Sequence, residues 1–528
     1  MLKRFFRALI IVLLLCEVWA APQAGVQAAP APELPTHWDL QKIYSSLDLW
    51  EADYRDVLKE RIPAYRAYQG RLDEADALLA VLQLDEQSSR LMDRLYLYAV
   101  LWRDEDDTNT QALQLSVRAE ALYLQLKTAA SFIEPELLYL PDEILQAYLR
   151  NPKFAPYRHF LSFIFYRKEH VLSPDEEKKL VEQQTEAADA RASVAFIREE
   201  NLNFPTIRDP QGNPFQVSED TLAEALLHPQ RSFRRETYEA LLESYAPVQD
   251  RLAAAIQARV QRNVQLARWR HYDSSLAAAL AGSRISETSY RLLLDEAARN
   301  AAALQRYISL RRRVLKVDKL APYDLFLPLS DASALPVYSY EEAAGLLVKA
   351  AQPLGGEYGV EIQALLKDAY IDVYPAPHKS SGAYTLSAYD APAYILLNFD
   401  GSGDGLFSLA RQMGYALQDG AVNRTQPYYD SITPLINANA AADVNQLLLL
   451  HYLVEQARDE DEKLYYLERL VDYVRGAFFM PLMYARFDLA LHERVEAGQE
   501  LDVETLNRLW ADELMRFYGP DFELSGNM

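Results

Sequence analysis

The chain has 528 residues, of which 50% are hydrophobic and 25% charged, with a formal net charge of −22 and a single cysteine. That apolar content is enough for two or three packed units, and one cysteine excludes both an internal disulfide and a thiolate-rich metal site. The acidic balance repels phosphate backbones and anionic lipid, which argues against nucleic-acid or membrane-surface binding.

The chain opens with Lys3, Arg4 and Arg7, then an apolar run from Ala8 to Cys16 and small residues before Ala21 or Ala29. This pattern predicts a secretory signal peptide over residues 1–28, because the run is shorter than the roughly 20 residues of a membrane-crossing helix. An uncleaved N-terminal anchor is the other reading. Export to the periplasm or the exterior is the expectation, and loss of the segment takes the net charge to about −24. Lipid attachment at Cys16 is disfavoured by Leu15, which stands where a small residue would be needed. No later stretch is long and apolar enough to span a bilayer.

From His37 onward helical periodicity dominates. Apolar residues recur at intervals of three and four in Asp73 to Gln83, Thr108 to Phe132, Ser173 to Glu199 and Thr221 to Leu242, which predicts amphipathic helices packed on one another. Breaks are expected at Pro135, Pro141, Pro152 and Pro156. Between Ile371 and Asp404 the pattern changes to β-branched and aromatic residues bounded by glycines, predicting a short hairpin or small sheet over Gly382 to Asp400. From Asp404 to Leu417 a buried central helix is expected, with Phe407, Ala410, Gly414 and Leu417 on one side.

Several segments then fall in a recognisable order. RHYDSSLAAAL (Arg270 to Leu280), YDLFLPL (Tyr323 to Leu329), PLGGEYG (Pro353 to Gly359), IDVYPAPHKSSGAY (Ile371 to Tyr384) and PAYILLNFDG (Pro392 to Gly401) resemble landmarks of the oligoendopeptidase F family of zinc peptidases. Tyr96 to Gln183 resembles that family's N-terminal helical domain, so the likeness covers nearly the whole mature chain. It implies a mainly α fold of the thimet-oligopeptidase and oligoendopeptidase F type, a zincin, with a small β-sheet beside a central cleft. The implied division is an N-terminal helical domain over 29–200 and a catalytic-type domain over 201–528 that is short at its C-terminal end.

The resemblance also implies a zinc site. The family carries a helix reading L-A-H-E-x-G-H-A-x-H, whose histidines, four apart, reach one zinc while the glutamate polarises the attacking water. Here the matching segment is LARQMGYALQ, Leu409 to Gln418. Arg411 and Tyr415 stand at the histidine positions and Gln412 at that of the general base. A family glutamate supplies the third ligand from the following helix; in ANAAADVNQLLLL (Ala438 to Leu450), Asn439 holds that place, Gln446 a later acidic one, and Asn445 matches. A guanidinium presents only donors, and a carboxamide has no useful basicity. Of the eight histidines no two lie three to five residues apart, so no helical pair replaces the lost one. His378 falls near the cleft by family position, on a loop.

No metal, cofactor or catalytic residue is therefore expected. The C-terminal ETLNRLWADELMRFYGPDF (Glu504 to Phe522) resembles a further landmark, and the family places helices with a histidine and tyrosines beyond it. Gly382, Ala383 and Tyr384 keep the pattern of an extended segment that pairs with substrate backbone, so short peptides are the expected partners. Packing would account for the same three residues. Arg411 also has two readings: a carboxylate or carbonyl clamp, or a plug paired with a neighbouring acid. The functional readings are a non-catalytic peptide binder, a peptidase with an unrecognised site, and a structural or partner-binding protein with a filled cleft.

Overall fold

The computed structural model describes residues 34–172, 176, 202–330 and 336–524. The predicted signal peptide, Cys16 and nearly all of the predicted helix Ser173 to Glu199 lie outside the described residues. The chain forms two compact units. Among the described residues, one takes 172, 176, 202–330 and 463–524, and the other 34–171 and 336–462, so each is assembled from more than one stretch.

The second unit contains, after a shorter helix at Leu47–Asp56, a helical hairpin of α1 (Ala75–Glu105) and α2 (Thr110–Ala130). Asn109 caps α2 by accepting hydrogen bonds from the Gln111 and Ala112 amides, which would otherwise be unpaired at a helix start. The prediction of a helix from Asp73 to Gln83 captured only the first third of α1.

In the first unit, a two-stranded antiparallel ladder of β1 (Thr206–Arg208) and β2 (Pro214–Gln216) leads into helices. The helix expected from Thr221 to Leu242 is two, Glu219–Leu226 and Arg231–Ser244. Pro229 lies in the break, and it has no amide hydrogen to carry the ladder across. Helices α3 (Gln249–Trp269) and α4 (Ala302–Leu315) follow.

Back in the second unit, β3 (Ile371–Asp372), β4 (Tyr384–Ala388) and β5 (Ala391–Leu396) form a sheet in the order β3-β5-β4, with β3 parallel and β4 antiparallel to β5. The predicted hairpin is β4 and β5, turning at Tyr389 and Asp390. Residues Tyr394 to Leu397 are buried, and Tyr394 and Leu396 join the unit's core with Trp50, Leu78, Leu95 and Leu122. The predicted central helix is α5 (Gly403–Thr425), longer than expected and capped by Ser402. Helix α6 (Leu435–Gln456) follows.

The chain then completes the first unit with α7 (Glu460–Val474), α8 (Met480–Glu496) and α9 (Val503–Tyr518). Trp510, Leu506 and Phe517 from α9 pack with Tyr238, Ile308 and Met483 in its core. Among the described residues no helix is long and apolar enough to cross a membrane.

Candidate functional site

The site expected from sequence lies where α5 crosses α6. Gly414 makes the crossing close: a Cβ on it would stand 2.6 Å from the Ala441 carbonyl oxygen and 2.7 Å from the Ala442 Cα. Only a hydrogen fits there, so the two backbones touch. Arg411, one turn before Gly414, and Tyr415, next to it, are thereby held against residues on either side of Ala442 on α6.

That geometry joins four polar side chains. Arg411 Nη1 donates to Asp443 Oδ1 at 2.5 Å, and Arg411 Nη2 donates to the Tyr415 hydroxyl at 3.1 Å. The Tyr415 hydroxyl in turn donates to Asn439 Oδ1 at 2.6 Å. The chain of bonds runs from carboxylate to guanidinium to phenol to amide. The Arg411 and Asp443 side chains keep 28% and 36% exposure, so the network sits at a surface. Asp443 was missed by sequence reasoning, although its place four residues after Asn439 puts it on the same helix face.

Gln412 points elsewhere. Its Oε1 accepts from Thr385 Oγ1 at 2.9 Å, and its Nε2 donates to the Ala383 carbonyl at 3.3 Å, tying α5 to β4. Gln446 is buried, and its Oε1 has no hydrogen-bond partner among the described residues. The matching Asn445 is buried beside them and donates to the Tyr358 hydroxyl at 2.6 Å and the Ala441 carbonyl at 2.9 Å.

The three extended-segment residues are partly engaged internally. Gly382 adopts a φ of 82°, a left-handed conformation favouring glycine, and its carbonyl accepts from Asn398 Nδ2 at 2.9 Å. Tyr384 donates its hydroxyl to Asp104 at 2.6 Å, and burial pushes the phenol well above its ordinary pKa. Strand β4 is at the sheet edge, since β5 covers only one of its sides.

A separate acid cluster lies near the end of α1. Trp38 Nε1 donates to Glu105 Oε1, Lys379 pairs with Asp372 at 2.5 Å, and His37 Nδ1 lies 3.3 Å from Asp372. Burial, reinforced by the Asp372 charge, pushes the Glu105 carboxyl up to about 7 against the Trp38 bond, while burial lowers Lys379. His378 is largely exposed, with Nδ1 3.4 Å from Asp107.

As a ligand set for a dication, the side chains at the α5–α6 crossing do not fit. The guanidinium faces the site with hydrogens, and the one carboxylate, Asp443, is already neutralised by it. Among the described residues no group of three His, Cys, Asp or Glu side chains is arranged to hold a metal ion.

Fold and sequence both match a class of helical peptidases. A family model described as Peptidase family M3 matches residues 225–528, and one described as Oligopeptidase F matches residues 136–192. The chain is 30% identical to Oligopeptidase PepF of Bacillus subtilis over 484 residues, 91% of this chain and 72% of that protein. It is also 30% identical to the chromosomal oligoendopeptidase F of Lactococcus lactis subsp. cremoris, over 92% of this chain and 81% of the relative. Among solved structures, a candidate peptidase from Chlamydophila abortus superposes with a TM-score of 0.86 at 28% identity, covering 93% of this chain and 82% of the other. Oligoendopeptidase-F from Enterococcus faecium gives 0.64 at 25% identity, over 90% and 80%. The chain belongs to the oligoendopeptidase F group of peptidase family M3.

Proposed function

We propose that this chain is an exported, non-catalytic member of its peptidase family that binds short peptides without hydrolysing them. The observation that carries the reading is the closed bond network at the α5–α6 crossing. Arg411, Tyr415 and Asn439 occupy the positions where the resemblance expects zinc ligands, and they bond to one another and to Asp443. Gln412, at the general-base position, is tied down by Thr385 and Ala383 and has no basicity to offer an attacking water. Peptide binding is supported by the edge position of β4, which has no strand paired on its other side among the described residues, and by Gly382, Ala383 and Tyr384 beside Arg411's helix. Export rests on the N-terminal pattern of Lys3, Arg4, Arg7 and the apolar run to Cys16.

Elemental analysis of the purified mature chain should find no stoichiometric zinc, and quenched fluorescent peptides should show no chelator-sensitive cleavage. Zinc at one per chain with such turnover would replace this reading by that of an active peptidase. Replacing Arg411→His, Tyr415→His and Asn439→Glu together should create zinc affinity, which checks that these positions converge as the geometry states. A second reading, a partner-binding protein with a filled site, draws on the Gly382 and Ala383 carbonyls being already bonded within the chain. Calorimetry with short peptides separates the two, since only the first gives saturable heat.

A further inference from the structure

The first unit carries an apolar groove that the peptidase reading does not use. Tyr307 on α4 donates to Asp472 on α7 at 2.9 Å, and Arg311 Nη1 lies 3.4 Å from Glu468 Oε1. Numbers rise along α4 as they fall along α7, so the helices run antiparallel. On α7 and its continuation, Leu464, Leu467, Val471, Val474 and Phe478 recur at spacings of three and four, the spacing of a helix-packing seam. All five are 37 to 50% exposed, while Tyr465, Tyr466 and Glu468 on the other side of α7 are buried. Leu310 and Val314, one turn apart on α4, are exposed to a similar degree.

The two stripes share one surface. At about 100° per residue, Leu464 to Val474 lie roughly 40 to 120° to one side of Glu468, and Leu310 and Val314 roughly 60 to 100° to the same rotational side of Arg311. Equal rotations on antiparallel helices, measured from the contact between them, turn toward the same face. The result is a trough floored by six apolar side chains, with the four on α7 extending over about 15 Å of helix axis.

Its rims are cationic. Arg306 and Arg313, seven residues apart on α4, and Lys463 on α7 are exposed, lie just outside the apolar stripes, and make no side-chain hydrogen bond or ion pair among the described residues. Helix α4 contains no acid, and on α7 from Lys463 onward the two acids, Glu468 and Asp472, are turned toward the α4 contact. Glu460, Asp461 and Glu462 stand before the seam begins, and Glu462 is paired with Arg458. On a chain of net charge −22 this is a local reversal of sign. A second copy of the same face would set these cations against their own kind, which opposes self-pairing.

We propose that the α4–α7 trough docks an amphipathic helix of another polypeptide, one with an apolar stripe at spacings of three and four and acidic residues flanking it. Leu464, Leu467, Val471 and Val474 would take its apolar stripe, and Arg306, Arg313 and Lys463 its acids.

The test uses the mature chain and two dye-labelled model helices of about three heptads, with leucine at the seam positions and either glutamate or lysine beside them, read by fluorescence anisotropy. The glutamate-flanked helix should bind saturably, more weakly as salt rises, and at least about tenfold more tightly than its lysine twin. Val471→Glu should weaken it about tenfold or more, and Arg306→Glu with Arg313→Glu should reverse the preference between the two helices. These three positions are exposed, and an unchanged thermal melt shows that the variants fold. Absence of saturable binding, equal binding of both helices, or indifference to Val471→Glu would overturn the proposal. So would a concentration-dependent dimer in sedimentation that Val471→Glu disperses, since the trough would then belong to a second copy. None of these readouts depends on zinc content or peptide hydrolysis.

Discussion

Two arginine–carboxylate networks, one in each unit, use the same chemistry in opposite surroundings. Arg311 is fully buried: it donates to the Tyr307 hydroxyl at 3.0 Å, the Asp324 carbonyl at 3.0 Å and the Leu327 carbonyl, and it faces Glu468. Glu468 then accepts from the Leu329 and Ser330 amides at 2.6 and 3.0 Å. Four of those bonds, to the Asp324 and Leu327 carbonyls and from the Leu329 and Ser330 amides, pin the backbone of residues 324–330, so the cluster is a staple. Arg411 and Asp443 instead meet side chain to side chain at a surface, and they pin no backbone in the bonds described above. Burial and backbone partners mark a structural ion pair, whereas the network at the expected ligand positions is a part-exposed chain of side chains.

The comparison breaks if the two networks respond alike to mutation. Arg311→Met should cost the most, about 3–5 kcal/mol in denaturant unfolding, because it leaves Glu468 buried and short of a countercharge. Gly414→Ala should cost about 1–3 kcal/mol, since its new methyl group meets backbone rather than a movable side chain. The Glu105 cluster sharpens the contrast through pH. A carboxyl held up near 7 binds its proton more tightly in the folded chain, so its contribution is full below the ordinary carboxylate pKa and is lost as pH rises through about 7. Because Glu105 is only half-buried, parent and Glu105→Gln should diverge by no more than about 1–2 kcal/mol between pH 5 and 8, with the parent losing stability the faster. Arg411→Ala should cost least, under about 1 kcal/mol, while weakening any peptide binding measured by calorimetry.

Much of the site was legible before any coordinates. LARQMGYALQ located α5, and its period set Arg411 and Tyr415 one turn apart on one face. The segment after it located Asn439 on the next helix. What periodicity could not supply was the partner of Arg411, because several acids lie within reach in sequence and only the Gly414 crossing selects Asp443. The opposite turn of Gln412, toward Thr385 and Ala383, was hidden for a similar reason, since it depends on which side of α5 the sheet lies. Pro229 was visible in the sequence, yet the apolar spacing on either side of it masked the break.

By itself the sequence determined the helical class, the small sheet, the family and the identity of the side chains at the expected metal positions, because periodicity, propensity and side-chain chemistry are local properties. Only the tertiary structure decided that residues 34–171 join residues 336–462 in one compact unit, that Asp443 closes the network, and that α4 and α7 turn their apolar stripes to one side. Those outcomes depend on contacts between residues far apart in the chain, where packing geometry and not local preference chooses the partner.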